Sequence, residues 1–245
     1  MIQNTIYSSI LKSKKKAEKK FALLVDPDKF DSKETIRLAE LASVDFIMVG
    51  GSLISNGDFE KCIEVIKSQT SIPVVIFPGN YLQISKNADA VLLLSLISGR
   101  NPEFLIGQHV VGAPAIKASG LEVLPTGYML IESGEQTSAS YMSNTSPIPS
   151  EKLDIAACTA MAGEQLGLKL IYLDAGSGAK LVVSKEMIRK VSQSVSIPII
   201  VGGGINTSKK AIEACKAGAD IIVVGNAIEK DNSIIRSISL AIHNL

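Results

Sequence analysis

The stretch PIIVGGGINTSKKAIEACKAGADIIVVGN, from Pro198 to Asn226, decides the fold of this chain. A short apolar run, Ile199–Val201, stops at three glycines, and after a helical segment a second run, Ile221–Val224, stops at Gly225 and Asn226. Glycines at the ends of neighbouring parallel strands let the backbone approach a ligand and turn N–H groups toward an anion. In a (β/α)₈ barrel the loops after strands seven and eight form the usual phosphate site. The pattern therefore predicts that the chain handles a phosphorylated small molecule.

The rest of the chain repeats this alternation of strand and helix. Strand-like runs lie near residues 21–25, 45–49, 73–77, 89–94, 121–131, 169–173, 198–201 and 220–224. Most are continuous apolar runs, which are typical of a parallel sheet covered by helices. Because 245 residues is a normal length for one such barrel, we expect an α/β chain whose residues 1–245 form a single (β/α)₈ TIM-barrel domain.

Two segments depart from the regular alternation. Residues 78–88, between the third and fourth strands, are too few for a full barrel helix and its two loops. We therefore predict a modified barrel whose third helix is shortened or replaced. Residues 132–149 are rich in Ser, Thr and Pro and form a long connection after the fifth strand. A lid, a subunit contact and a mobile surface loop are all open interpretations of this connection.

Three of the intervening helices have recognisable end signals. Asp31 or Ser32 is expected to begin the helix after the first strand. Ser150 is expected to begin a helix that Gly167 ends, and Thr207 is expected to begin the helix inside the decisive stretch.

Composition limits the possible classes of function. A net charge of +1 gives no reason to expect a nucleic-acid partner, and the basic run Lys12–Lys20 is interpreted as the solvated face of a first helix. Cys62, Cys158 and Cys215 are far apart and lack CxxC spacing, which favours a reducing cytoplasm. We expect no signal peptide, and no apolar run in the sequence reaches the roughly 18 residues of a transmembrane segment.

The ends of the first two strands carry candidate metal ligands. Asp26 follows the first strand and Ser52 follows the second. A carboxylate and a hydroxyl at adjacent strand ends can hold part of a Mg²⁺ shell, with water and phosphate oxygens completing it. Because a closed barrel places strand eight beside strand one, the phosphate site and the metal site would face each other across the mouth. This arrangement suits two phosphorylated substrates, one of them a diphosphate.

The same residues also have plain structural interpretations. Asp26 and Asp28 flank Pro27 as in a turn before a helix, Asp174 could hydrogen-bond the glycine loop after it, and Arg100 could be a surface charge. An isomerase or aldolase-like barrel, a barrel that binds flavin mononucleotide (FMN), and a non-catalytic phosphate-binding barrel remain open. Ser-His-Asp, HExxH and CxxC patterns are absent from the sequence.

The combined motifs resemble the geranylgeranylglyceryl phosphate synthase family. They are LLVDPDK (Leu23–Lys29), VGGS (Val49–Ser52), PTGYMLIESG (Pro125–Gly134), YLDAGSGA (Tyr172–Ala179), VGGGI (Val201–Ile205) and VGNAIE (Val224–Glu229). The resemblance runs from about Phe21 to Glu229. It implies a prenyltransferase of ether-lipid biosynthesis on a modified barrel. The 3-hydroxyl of sn-glycerol 1-phosphate would be alkylated by a polyprenyl diphosphate, such as geranylgeranyl diphosphate, with release of pyrophosphate.

The resemblance also implies roles for individual residues. Asp26 and Ser52 would bind Mg²⁺, and Asp174, where many members of the family have Glu, would be the catalytic base. The substrate-binding residues would be Tyr172, Leu173, Asp174, Ala175, Gly176, Ser177, Gly178, Gly203, Gly204, Gly225 and Asn226. Apart from the resemblance, the position and charge of Arg100 suggest that it meets the diphosphate.

Apolar side chains in the weakened third segment and beyond the fourth strand are candidates for a trough that holds the lipid tail. They are Tyr81, Leu82, Ile84, Leu96 and Ile97, and ordinary core packing is the alternative interpretation. Met142, Pro147 and Ile148 in the long connection favour a self-contact, so we expect a homo-oligomer.

Overall fold

The computed structural model describes residues 5–30 and 33–245, and its eight parallel strands close into a barrel. The strands are Lys20–Val25 (β1), Phe46–Val49 (β2), Val74–Ile76 (β3), Ala90–Leu96 (β4), Glu122–Leu130 (β5), Leu170–Asp174 (β6), Ile199–Gly202 (β7) and Ile221–Val224 (β8). Each strand pairs with its neighbours in chain order, and the barrel closes where Leu23 of β1 lies opposite Val224 of β8. The eight predicted strands and the α/β barrel are confirmed.

Continuous apolar runs form these strands because both of their faces are buried. Alternate residues of β2 illustrate this: Phe46 and Met48 pack inside the barrel, whereas Ile47 and Val49 pack outward against the helices. A side-chain period of two therefore fills two cores from one apolar run.

Helices surround the barrel. They are Ile6–Lys15 (α1), Lys33–Leu41 (α2), Phe59–Gln69 (α3), Gln108–Ser119 (α4), Ser138–Ser143 (α5), Leu153–Gln165 (α6), Lys185–Ser192 (α7), Ser208–Ala217 (α8), Asn226–Lys230 (α9) and Ile234–His243 (α10). A π-helical turn, Glu103–Gly107, runs directly into α4. Between β3 and β4 the described residues 77–89 form turns and no helix.

The predicted helix starts have different outcomes. Thr207 is confirmed, because its side chain accepts a hydrogen bond from the N–H of Lys210. Ser150 is wrong as a helix start: Lys152 directly precedes α6, and the Ser150 hydroxyl donates to Glu151 instead. Asp31 and Ser32 lie outside the described residues.

The basic run Lys12–Lys20 is more than a solvated face. Lys14 lies 2.8 Å and Lys19 lies 3.7 Å from the Asp220 carboxylate, which is at the start of β8. Ile10, one turn before Lys14 on the same side of α1, packs into the interior of the barrel. Helix α1 is thus fixed across the amino-terminal end of the strands, and the opposite end of the barrel is left for ligands.

Candidate functional site

The loops at the carboxyl ends of the strands enclose a cavity of about 590 Å³. It brings together residues that are far apart in the sequence. Of the residues predicted for the site, those that line the cavity are Asp26, Ser52, Tyr172, Asp174, Gly176, Ser177, Gly178, Gly203, Gly204, Gly225 and Asn226. The glycine turns and the Asp26–Ser52 pair therefore share one end of the barrel and one cavity.

Leu173 and Ala175 do not reach this cavity. Both side chains are at most 1% exposed and pack in the outer core between strands and helices. Tyr172 and Asp174 face the cavity. Because successive side chains of a strand point to opposite faces, Leu173 and Ala175 point away from the cavity. Their side chains therefore do not line the cavity, and a contact of their backbone with substrate stays a prediction.

The turn after β7 is shaped to receive an anion. Gly203 and Gly204 have positive φ angles of 83° and 70°, a backbone conformation that side-chain-bearing residues rarely adopt. Within the described residues, the N–H groups of these two glycines have no hydrogen-bond acceptor. Unpaired N–H groups at a strand end are the usual partners of phosphate oxygens.

The loop after β6 joins this turn to the end of β8. The hydroxyl of Ser177 donates to the side-chain oxygen of Asn226 at 2.9 Å. A side chain on Gly203 would lie 2.6 Å from the backbone nitrogen of Gly176, so these two loops pack backbone against backbone. The three loops form one cradle around the same side of the cavity.

Asp174 is a buried carboxylate at the base of this cradle. It is 7% exposed, and its oxygens accept hydrogen bonds from the Tyr128 hydroxyl at 2.5 Å and from the N–H of Gly176 at 2.7 Å. Burial raises the pKa of Asp174 above that of an ordinary carboxyl group, although these two hydrogen bonds act in the opposite direction. A carboxylate with a raised pKa beside a cavity is suited to accept a proton.

Tyr172 places a hydroxyl beside the glycine turn. Its ring stacks on Phe77 with centroids 5.3 Å apart and meets Tyr128 edge-on at 5.4 Å, which fixes its direction. A side chain on Gly202 would lie 2.6 Å from the Tyr172 hydroxyl oxygen. Burial, followed by the charge of Asp174, raises the pKa of Tyr172 well above its ordinary value, so the group is a hydrogen-bond donor at neutral pH.

Beside the cradle, the mouth of the cavity carries charged groups from the loop after β1 and from helix α9 after β8. Lys29 bridges two carboxylates, with its ammonium 3.0 Å from Asp26 and 3.2 Å from Glu229. Although partial burial acts to lower the pKa of Lys29, its contacts with Asp26 and Glu229 outweigh burial and raise that pKa. Lys29 and Glu229 both line the cavity, and sequence reasoning did not single them out.

The donor set on this side fits Mg²⁺. An Asp26 carboxylate oxygen lies 3.6 Å from where a side chain on Gly51 would begin, next to Ser52. Carboxylate and hydroxyl oxygens are ligands that Mg²⁺ accepts while it keeps several waters. Among the described residues no group of three or more His, Cys, Asp or Glu could hold a metal ion by itself. An ion here would therefore need oxygens from a bound ligand and from water.

An apolar channel leads away from the charged groups along β4 and α4. Of the predicted trough residues, Tyr81, Ile84 and Leu96 line the cavity, and Phe104 and Ile116 extend the apolar surface.

Other predicted neighbours of this channel lie elsewhere. Leu82 is 73% exposed on the outer surface, and Ile97 lies over Gly127 and Gly163 instead, with its Cδ1 2.8 Å from where a side chain on either glycine would begin. Arg100 is exposed, does not line the cavity and donates to the carbonyl of Gly99. The structure therefore does not bring Arg100 together with Asp26 and Ser52.

The long connection after β5 is partly ordered into helix α5. Thr137 begins α5 with a capping box, and Met142 on the helix lines the cavity. Ile148 is buried beside Ile131, so its predicted part in a self-contact is wrong.

No helix within residues 5–30 and 33–245 is both long and apolar enough to cross a bilayer.

Comparison with known proteins gives a consistent result. A family model described as the PcrB family matches residues 14–242. A geranylgeranylglyceryl phosphate synthase of Chitinophaga pinensis is 55% identical over 245 aligned residues, which cover 99% of this chain and 97% of that protein. The crystal structure of (S)-3-O-geranylgeranylglyceryl phosphate synthase from Thermoplasma acidophilum, in complex with its substrate sn-glycerol-1-phosphate, superposes with a TM-score of 0.91 at 33% identity. The superposition covers 98% of this chain and 99% of the other.

Proposed function

This chain belongs to the PcrB family, and on that premise we propose that it is a geranylgeranylglyceryl phosphate synthase. It alkylates the 3-hydroxyl of sn-glycerol 1-phosphate with a polyprenyl diphosphate, geranylgeranyl diphosphate, and releases pyrophosphate. The product enters ether-lipid biosynthesis. Close relatives named for this activity support the proposal along nearly the full length of the chain.

The observation that carries the proposal is the division of one cavity into two anion sites. The unpaired N–H groups of Gly203 and Gly204 suit a monophosphate on one side. Asp26 and Ser52 suit a metal-bound diphosphate on the other, and an apolar channel continues from the mouth. A phosphate-binding barrel for small polar substrates has no need of that channel.

Asp174 is the proposed general base. When glycerol phosphate is held by the cradle, with its phosphate at Gly203, Gly204, Gly225 and Asn226, its free hydroxyl would reach toward β6. There Asp174 takes the hydroxyl proton as the oxygen bonds to C1 of the prenyl group, whose bond to the diphosphate oxygen breaks. Tyr172 donates a hydrogen bond to the glycerol phosphate and orients it. Gly176, Ser177 and Gly178 close the cradle over the substrate.

The proposed metal is Mg²⁺ held by Asp26 and Ser52. When bound, the ion would neutralise charge on the departing diphosphate and so assist its release. Lys29 already pairs with Asp26 and can turn toward the diphosphate once another cation takes its place. Glu229 limits how far the Lys29 ammonium moves.

The proposed tail site depends on the missing helix between β3 and β4. A full helix there would cover the gap beside Tyr81 and Ile84. We propose that this modified third element is what opens the barrel to an apolar chain. The polar mouth then holds both reacting ends while the prenyl chain lies against β4 and α4.

The remaining proposals concern the whole chain. Residues 1–245 form one catalytic domain that works as a homo-oligomer in the cytoplasm. Three free thiols, at Cys62, Cys158 and Cys215, suit a reducing compartment. Light scattering at working concentrations measures the oligomeric state.

Replacement of Ser52 by Ala tests the metal site. We expect the Mg²⁺ concentration for half-maximal activity to rise roughly tenfold, since one oxygen ligand worth about 1.4 kcal/mol is lost, while the rate at saturating Mg²⁺ changes little. Ser68→Ala is the control, because Ser68 is an exposed serine on α3 whose hydroxyl donates to the carbonyl of Val65 in the same helix. An unchanged Mg²⁺ titration in Ser52→Ala counts against the metal site.

Replacement of Tyr128 by Phe tests the base through its pH profile. Asp174 must be ionised to accept a proton, so activity falls as pH drops through its raised pKa. The Tyr128 hydrogen bond lowers that pKa, so its loss raises the pKa further. We expect the acidic limb of kcat/KM to move to higher pH in Tyr128→Phe and the rates to converge at alkaline pH.

Tyr172→Phe is the matched control for this experiment. No hydrogen bond joins the described side chains of Tyr172 and Asp174. Loss of the Tyr172 hydroxyl is therefore expected to leave the acidic limb of the kcat/KM profile in place and to raise KM for glycerol phosphate. A Tyr128→Phe profile that superposes on the wild type speaks against Asp174 as the titrating base.

Release of pyrophosphate tests the function as a whole. We expect release from geranylgeranyl diphosphate only when sn-glycerol 1-phosphate and Mg²⁺ are both present. A series of prenyl diphosphates of increasing length then defines the capacity of the channel. The proposal is rejected in favour of another barrel enzyme if pyrophosphate release does not depend on glycerol phosphate, or if the purified protein is yellow from bound flavin.

A further inference from the structure

Asp28 fastens the loop after β1 to the loop after β2. Its carboxylate oxygens accept hydrogen bonds from the N–H groups of Ser55 at 2.9 Å, Asn56 at 3.0 Å and Gly57, and from the Ser55 hydroxyl at 2.9 Å. The backbone donors of Ser55 and Gly57 lower the pKa of Asp28 to about 2, so the group is a carboxylate at any physiological pH.

The backbones of these two loops also lie in direct contact. A side chain on Gly57 would lie 2.4 Å from the carbonyl carbon and oxygen of Pro27. The backbone of the second loop therefore runs directly over the Asp26–Pro27–Asp28 turn, and only Gly fits at this point.

Each of these loops carries one of the two proposed magnesium ligands. Asp26 lies two residues before Asp28, and the N–H of Asp28 donates to an Asp26 carboxylate oxygen at 3.1 Å. Ser52 lies three residues before Ser55 in the second loop. Asp28 therefore connects the backbone that orients Asp26 to the backbone that carries Ser52.

We propose that Asp28 is a positioning residue for the magnesium–diphosphate site: it sets the separation of Asp26 and Ser52 by holding three successive N–H groups of the neighbouring loop. The inference rests on the proposed function, because it takes Asp26 and Ser52 as ligands. Asp28 does not itself touch the metal or the diphosphate. Its own oxygens are occupied by the donors of residues 55–57.

Replacement of Asp28 by Asn is the direct test. The amide keeps the size of the side chain but has one oxygen and turns an N–H₂ group toward backbone donors. Calorimetry with Mg²⁺ and inorganic pyrophosphate, in the absence of any turnover, is expected to show binding weakened roughly tenfold. The half-saturating Mg²⁺ concentration in the transfer assay is expected to rise by a similar factor, while KM for glycerol phosphate changes less than about twofold.

Glu164 offers a matched control at the other end of the barrel. Its carboxylate accepts hydrogen bonds from the N–H and hydroxyl of Ser196, at 2.9 and 2.5 Å, and from the N–H of Ile197 at 3.3 Å. Glu164→Gln therefore weakens a similar set of hydrogen bonds between a carboxylate and a loop, far from the mouth. We expect it to lower the melting temperature and leave Mg²⁺–pyrophosphate binding unchanged.

Ser55→Ala and Asp26→Asn complete the series. Ser55→Ala removes only the hydroxyl donor to Asp28, so it gives a smaller shift of the same kind, and it decides the matter if Asp28→Asn does not fold. Asp28→Asn with a lowered melting temperature and unchanged Mg²⁺–pyrophosphate binding overturns the inference when Asp26→Asn does weaken that binding. If Asp26→Asn leaves binding unchanged as well, the proposed metal site itself is wrong.

Discussion

Replacing Asp174 by Asn abolishes most of the turnover while sn-glycerol 1-phosphate still binds. The amide cannot take the hydroxyl proton, and loss of a general base costs about 10²–10⁴-fold in rate. The fold should survive, because the oxygen of the introduced amide can still accept the hydrogen bond from Tyr128. Turnover under saturating substrates and calorimetric affinity for glycerol phosphate are the two measurements. We expect the affinity to change less than about tenfold, the equivalent of one hydrogen bond.

Asp174→Glu provides the comparison for this result. Glu keeps a titratable carboxylate and is the residue that many members of the family have at this place. Its extra methylene lengthens the arm in a site that is 7% exposed, so some loss from crowding is expected. We expect Asp174→Glu to be clearly more active than Asp174→Asn. Near wild-type turnover in Asp174→Asn would remove Asp174 from the mechanism.

Replacing Gly203 by Ala disables the phosphate cradle. Ala at a φ of 83° is strained, and its methyl group would lie 2.6 Å from the nitrogen of Gly176 and 2.8 Å from the side chain of Ala175. The turn must shift to relieve about 1–3 kcal/mol, and its N–H groups then leave the phosphate. We expect affinity for sn-glycerol 1-phosphate to fall about 10- to 100-fold, with calorimetry as the measurement.

Gly167→Ala separates this effect from general strain. Gly167 follows α6 at the far end of the barrel and has a φ of 88° with open space around it. The substitution imposes similar backbone strain away from the cavity, so stability falls while affinity for glycerol phosphate is retained. Wild-type affinity in a folded Gly203→Ala variant would show that the phosphate is held elsewhere.

The sequence predicts the barrel well because its signal is local. Each strand is a continuous apolar run whose two faces are buried in different cores, and such a run needs no knowledge of distant residues. The turn at Gly203 and Gly204 is predictable for the same reason, since glycines at a strand end favour a turn with positive φ or a close approach of the backbone to a ligand. Thr207 likewise caps a helix through a donor only three residues away.

The sequence is less informative where the outcome depends on side-chain direction or on partners distant in the chain. Leu173 and Ala175 lie within a predicted site motif, yet the alternation of β6 points them into the outer core. The two-residue period of a strand is the signal that places their side chains away from the cavity. The Ser-, Thr- and Pro-rich stretch around Ile148 favours an exposed position, but Ile148 pairs beside Ile131, 17 residues earlier.

The residues missed at the mouth have no local signature that marks them out. Lys29 is held at the mouth by a salt bridge to Glu229, which lies 200 residues later and reaches Lys29 because β8 pairs with β1. The carboxylate of Asp28 has the ordinary appearance of a turn residue, and its partners at 55–57 come from the next loop. Both residues belong to motifs that the sequence does single out, so their roles appear once the barrel is closed.

Transfer of a labelled geranylgeranyl group tests most directly whether one barrel mouth holds both anions. The protein is incubated with Mg²⁺, tritiated geranylgeranyl diphosphate and sn-glycerol 1-phosphate, and the lipid phase is analysed for a prenyl ether of glycerol phosphate. We predict a single ether product, formed in equal amount to pyrophosphate and greatly reduced both in Asp174→Asn and when Mg²⁺ is removed. Absence of the ether, or its formation at undiminished rate in Asp174→Asn, would contradict the proposed chemistry.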